Sequence, residues 1–216
     1  MKMCNYKSLF FLSILSLCTN FLTAQEIAIT ERGDSVVLLS NGTWDYFENY
    51  VEPAEIEIGR NDSEFLKPEN SNQMLKGLNN AYQLWYNSSI WKRVPAADLN
   101  PDADLALKMK KGDVYAMVIY EELEIEVDKL MEISFQNANS MSPDFKIVNT
   151  EYRLVNEKEL IFMQMEGTVQ SMKISYISYY ASGENGSYQF HIYTGQRLVD
   201  KYKDEIFNLL NGLIIK

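Results

Sequence analysis

Few side chains in this sequence can do chemistry, and their types set narrow limits. The chain holds a single histidine, His191. Within a strand it shares a side with Gln189 and Tyr193 and lies opposite Phe190 and Ile192, either on a wet sheet face or beneath a helix layer. A Ser-His-Asp triad would have to use it, yet no Gly-x-Ser-x-Gly elbow is present. Zinc sites built from several histidines are excluded. No catalytic residue is assigned.

Two acidic groups have spacings that suit a hard cation. Asp98, Asn100, Asp102 and Asp104 place oxygens at alternate positions, like the opening of a calcium loop. Ala103 stands where that loop needs glycine and Met109 where it needs a bidentate glutamate, so a turn with Asx caps is the expected structure. Glu121, Glu122 and Glu124, with Glu126 and Asp128, lead into a helix whose dipole favours carboxylates at its start. No cofactor is expected, and calcium or another divalent cation is the ligand these oxygens would take. With 30 acidic residues in the chain, pairs of carboxylates arise by chance and give no signal for glycoside hydrolysis.

Aromatic residues are the enrichment that points to binding. There are 14 Tyr and 3 Trp, among them Trp85, Tyr86, Trp91, Tyr176, Tyr179, Tyr180, Tyr188 and Tyr193. Where exposed, such side chains suit a peptide, glycan or protein partner; strand propensity and core filling account for the same residues. The candidate partner surface is Trp85, Tyr86, Trp91, Tyr179, Tyr180, His191 and Tyr193. Arg32-Gly33-Asp34 reads as a β-turn, and Asn41, Asn61, Asn87 and Asn185 open Asn-x-Ser/Thr sequons.

The elements that must position these residues follow from periodicity. Residues 27–30, 36–39 and 44–47 are short β-prone runs separated by turn-forming segments, which predicts a three-stranded meander. Residues 48–78 are rich in Glu, Asn, Pro and Gly and read as a linker or loosely held loop. The main domain is expected over 79–216. Residues 82–86 read as a strand, and 105–109 and 114–120 flank Lys110-Lys111-Gly112-Asp113 as a hairpin. Because 114–120 is apolar on both faces, it should be a central strand. Val127, Leu130, Met131, Phe135 and Ala138 mark a helix face. Four strands follow at 146–155, 160–169, 172–181 and 188–194. The second alternates Ile161, Met163 and Met165 with Gln164, Glu166 and Thr168, the pattern of a half-buried antiparallel strand. A closing helix carries Leu198, Val199, Tyr202, Ile206, Leu209, Leu210 and Leu213. The economical α+β architecture is an antiparallel sheet of about five to seven strands covered by these amphipathic helices.

This order of elements resembles the PsbP-like fold. The resemblance rests on Leu84-Trp85-Tyr86-Asn87 with Trp91-Lys92, on Tyr115-Ala116-Met117-Val118-Ile119, and on Met163-Gln164-Met165-Glu166-Gly167-Thr168. It ends on Phe190-His191-Ile192-Tyr193-Thr194 and Leu209-Leu210-Asn211-Gly212. The nearest likeness is to uncharacterised exported proteins of Bacteroidetes-type bacteria, which also place an Asn-Gly-Thr-Trp hairpin after the signal. The resemblance covers most of 79–216 and implies an α/β/α sandwich. Its marks are packing residues, so it implies no catalytic or metal-binding residue.

The N-terminus sets the compartment. Lys2 and Lys7, the apolar run 9–17 and Leu22-Thr23-Ala24 form the three-part layout of a cleaved signal over 1–24. Leu17 before Cys18 disfavours a lipid anchor. Both cysteines, Cys4 and Cys18, lie within the signal, so the mature chain of roughly 190 residues is free of thiol chemistry and has no transmembrane segment. Losing two lysines moves the formal net charge from -10 to -12, which argues against nucleic acid. The expected protein is an exported, periplasmic or secreted, non-enzymatic binding or accessory module for a protein partner in the cell envelope. A small-ligand or divalent-cation binder with a pocket between sheet and helix is the second reading, and a carboxylate-based hydrolase the third.

Overall fold

The computed structural model describes residues 27–30, 32, 35–38, 44–46 and 56–216, in two compact units, 1–50 and 51–216. The proposed signal lies outside the described residues. In the first unit β1 (Ile27–Ile29), β2 (Ser35–Leu38) and β3 (Trp44–Tyr46) pair antiparallel in sequence order. This is the expected meander, its connecting turns lying largely outside the described residues.

The second unit is built on an eight-stranded sheet. Its strands are β4 (Gly59–Phe65), β7 (Trp91–Val94), β8 (Ala103–Met109), β9 (Val114–Glu121), β10 (Lys146–Val155), β11 (Lys158–Val169), β12 (Met172–Gly183) and β13 (Gly186–Gly195). The order is β4-β10-β11-β12-β13-β9-β8-β7, antiparallel throughout except where β4 runs parallel to β10. A smaller sheet, β14-β6-β5, joins β5 (Gln73–Lys76), β6 (Tyr82–Tyr86) and β14 (Leu213–Ile215).

Two expectations are corrected here. The segment read as linker carries β4 and β5, so the large sheet has one strand more than the upper expectation. β4 is almost wholly exposed and lacks an alternating apolar pattern; long-range pairing with β10, not local propensity, makes it a strand. The closing helix is broken into α2 (Gln196–Val199), a 3-10 turn over Asp200–Tyr202 and α3 (Lys203–Leu210). Leu213, read as part of that helix face, belongs instead to β14, because at Gly212 the chain turns hard against β6. A side-chain carbon there would press on the Trp85 carbonyl.

Period two sorts the large sheet into two faces. Leu107, Ala116, Val118, Leu160, Phe162, Ile177, Tyr179, Phe190 and Ile192 turn to one face, where α3 and the small sheet bury them with Ile206, Leu209, Leu84 and Tyr82. On the other face Ile161, Met163, Met165 and Tyr180 meet Leu130, Met131 and Ala138 of a helix here labelled α1 (Val127–Met141). Each buried Leu, Ile, Val, Phe or Met among them contributes roughly 1.5–3 kcal/mol. β11 is therefore not half-buried as its alternation suggests. Both of its faces are covered at residues 160–163, since α3 closes the Leu160 and Phe162 side. Its ends turn through Asn156 and Glu157, and through Gln170 and Ser171, all with positive φ. Such mirror-image turns match the right-handed twist of the strands they join.

Candidate functional site

The strand register creates a row of side chains that no single stretch of sequence displays. On the α1 face Tyr176 of β12 lies directly opposite Tyr193 of β13. Tyr193 lies opposite Tyr115 of β9, Tyr115 opposite Lys108 of β8, and Lys108 opposite Lys92 of the edge strand β7. α1 packs over β11 and β12, leaving the β13 to β7 end of the row to half-buried Tyr193, Tyr115 and Lys108 and exposed Lys92.

The geometry of the rings decides what the row can offer. The Tyr115 and Tyr193 centroids are 5.3 Å apart with planes 15° from parallel, and Tyr176 stacks on Tyr193 at 5.3 Å and 31°. Lys108 Nζ covers the other side of Tyr115, 4.8 Å from its centroid. Phe145 closes the far end, 6.0 Å from Tyr176. The rings thus stand side by side with their faces spent on each other. Strand side chains project roughly perpendicular to a sheet, so hydroxyl edges and ammonium groups remain for a ligand. Burial pushes the Tyr193 phenol up to about 12, helped by Tyr176 and Tyr115, and burial raises Tyr176 as well. These phenols stay protonated and can donate.

The neighbouring row, by contrast, is sealed. His191, 5% exposed, lies opposite Ser178 and Met117, and its Nδ1 shares a 2.9 Å hydrogen bond with Ser178 Oγ. Burial lowers the His191 pKa to about 4, so the ring is neutral at neutral pH. Its wet-face alternative is thereby corrected, and the ring sits in the covered layer beside Tyr180 and Tyr176. Tyr180 hydrogen-bonds Ser134 of α1 at 2.9 Å, and burial pushes its phenol up to about 12.

Of the candidate partner residues, Trp91, Tyr179, Tyr180 and His191 are buried and cannot form a docking surface. Strand periodicity could not reveal this, because burial depends on which face a helix or second sheet covers. Tyr179 donates to Asn211 Oδ1 at 2.7 Å beneath α3. Trp85, Tyr86 and Tyr193 are half-buried. Trp85 and Tyr86 lie on β6, where Lys67 Nζ sits 4.9 Å from the Trp85 ring; Tyr193 alone belongs to the tyrosine row.

The acidic candidates disperse. Asn100 Oδ1 accepts from the Asp102 amide at 2.8 Å, the Asx turn expected there. Asp104 Oδ2 accepts from the Leu78 amide and the Tyr82 hydroxyl at 2.8 and 2.7 Å. Asp98 ends a 3-10 turn, and Glu121, Glu122 and Glu124 are exposed, with Asn79 donating to Glu122. Among the described residues no three Asp, Glu, His or Cys side chains gather where they could hold a metal ion. A concavity of about 400 Å³ is lined by Arg93, Val94, Pro95, Ala96, Asp104 and Ala106. It lies at the β7 edge, away from the sheet and helix layer where a ligand pocket was expected.

One buried charge escaped the sequence reading. Arg153, 7% exposed, pairs through Nε with Glu151 Oε1 at 2.6 Å, and its guanidinium lies 3.6 Å from the Phe162 ring centre and 4.7 Å from that of Phe65. Asn61 of β4 donates to the same Glu151 oxygen at 3.0 Å. The cluster fastens the parallel edge strand, with Arg153 Nη1 left unpartnered. An isolated arginine in a strand gives no sequence signal for such a role.

No family model matches the chain, and no curated protein matches it. Among solved structures it is similar to the solution structure of cyanobacterial PsbP from Synechocystis, with a TM-score of 0.54 and 15% identity, covering 69% of this chain and 95% of that one. A Bacteroides thetaiotaomicron protein aligns at a TM-score of 0.44 and 5% identity over 68% of this chain and 49% of that one. A Pseudomonas aeruginosa protein of unknown function aligns at 0.40 and 9% identity over 67% and 96%. Among the described residues no helix is long and apolar enough to cross a membrane.

Proposed function

We propose, from the premise that this chain has the PsbP-like fold, that it is an exported, non-enzymatic binding or accessory module that docks a protein partner of the cell envelope. The docking surface is the open end of the row formed by Tyr176, Tyr193, Tyr115, Lys108 and Lys92. The observation that carries this reading is the half-buried stack of Tyr115 and Tyr193 capped by Lys108, at 5.3 and 4.8 Å. Tyrosines held rigid by stacking lose little conformational freedom on binding, which is why such residues anchor interfaces. The Ser178 and His191 pair supports a non-enzymatic reading. Both side chains are buried, and the neutral ring hydrogen-bonds a serine where a triad would orient it with a carboxylate.

The test is affinity capture from envelope fractions of the native host, with the wild-type chain and a Tyr115→Ser, Tyr193→Ser variant whose fold is checked by circular dichroism. The reading predicts one stoichiometric partner held by wild type and lost by the variant. The same captured set with both proteins overturns it.

A further inference from the structure

Resting on that docking surface, we infer that its occupant is an extended, carboxylate-rich segment of a protein, laid across the strands from Tyr193 to Lys92. Three strand spacings of about 4.8 Å make this path roughly 14 Å long, the reach of about four extended residues.

Three observations select acidic chemistry. The exposed end of the row, Tyr193, Tyr115, Lys108 and Lys92, offers phenol hydroxyls and ammonium groups and holds no carboxylate of its own. Asp113, in the turn after β8, acts on Lys108 only at a distance and forms no ion pair with it. Secondly, Lys92 and Lys108 oppose each other directly, and like charges so placed destabilise a strand pair. Among the described residues the ion pairs are Arg60 with Glu159, Lys129 with Glu132 and Arg153 with Glu151. Two lysines side by side that belong to none of these pairs, in a chain with 30 acidic and 20 basic residues, form a local positive patch that a bound anion complements. Thirdly, Tyr193 has a ring on both sides and Tyr115 lies between Tyr193 and Lys108. A ligand that binds by stacking, such as a sugar ring or a base, finds no open face there, whereas carboxylates reach the hydroxyl edges and ammonium groups.

The probe is a blocked hexaglutamate peptide, titrated by amide chemical shifts into protein recovered after export from its expression host. The shifts are expected at Lys92, Lys108, Tyr115 and Tyr193, with affinity falling as salt rises. The Lys92→Glu, Lys108→Glu variant should lose about tenfold or more in affinity, while Lys158→Glu, exposed at the start of β11, should bind as wild type. Absence of binding, equal binding by the row variant, or equal binding of hexalysine overturns the inference. So does a trigalacturonate probe that reproduces the shifts where hexaglutamate gives none, since that assigns the site to an acidic glycan. If the charge-reversed variant still captures the envelope partner while Tyr115→Ser, Tyr193→Ser does not, the docking surface stands and its acidic occupant falls. If both capture it, both proposals fall.

Discussion

The buried imidazole gives the sharpest quantitative prediction. His191 has a folded pKa of about 4 against about 6.5 in an unfolded chain. The unfolded state therefore binds the proton first as pH falls, and stability must fall with it. Both states are neutral above about pH 7 and no loss is felt. Between pH 7.5 and 5.5 the linkage relation gives a loss of about 1 kcal/mol, and the whole loss, complete below the folded value, is about 3 kcal/mol. The perturbation is His191→Asn, which keeps a polar atom near the Nδ1 position opposite Ser178 but cannot titrate. Urea unfolding of both proteins across this range, subtracted at each pH, cancels the carboxylates they share. The difference should grow towards low pH with wild type losing more. A flat difference, or one of opposite sign, refutes the claim that His191 is buried and neutral beside Ser178 and Tyr180.

Other substitutions test the packing. Arg153→Ala should cost about 3 kcal/mol in urea unfolding, because it strands half-buried Glu151; Arg153→Met, which keeps the contact with Phe162, should cost less than Arg153→Ala. Tyr180→Phe removes the bond to Ser134 in a buried layer and should cost about 1–2 kcal/mol by the same assay. At the β12 to β13 turn, Gly186 has φ +118 and a side-chain carbon there would strike the Glu121 carbonyl, while one at Gly183 meets nothing. Gly186→Ala should therefore lower the melting temperature clearly, by a stability loss of about 1–3 kcal/mol, with Gly183→Ala close to neutral.

What was legible in the sequence was whatever depends on local period. Residues 160–169 and 127–138 announced β11 and α1 because apolar side chains recur there at strand and helix spacings. Lys110-Lys111-Gly112-Asp113 announced its hairpin through turn chemistry. β4 was illegible because its seven residues carry almost no apolar pattern; it exists through Arg153, Glu151 and Asn61, about 90 residues apart in the chain. The candidate site was hidden for a related reason. Tyr115, Tyr176, Tyr193, Lys108 and Lys92 come from five strands, and their alignment is fixed by register, which a one-residue slip would abolish by turning each to the opposite face. Tyr193 was found as an aromatic, but Trp91, Tyr179 and Tyr180 looked identical to it in composition. Only the layers above them separate core from surface.

The most direct measurement of the docking claim is photo-crosslinking in the native host, with benzoylphenylalanine replacing Tyr115, Lys92 or, as a remote control, Lys158. The account predicts one and the same envelope protein joined to positions 115 and 92 and absent from 158. Crosslinks at 158 that match those at 115 and 92, or none at the two row positions, would contradict it.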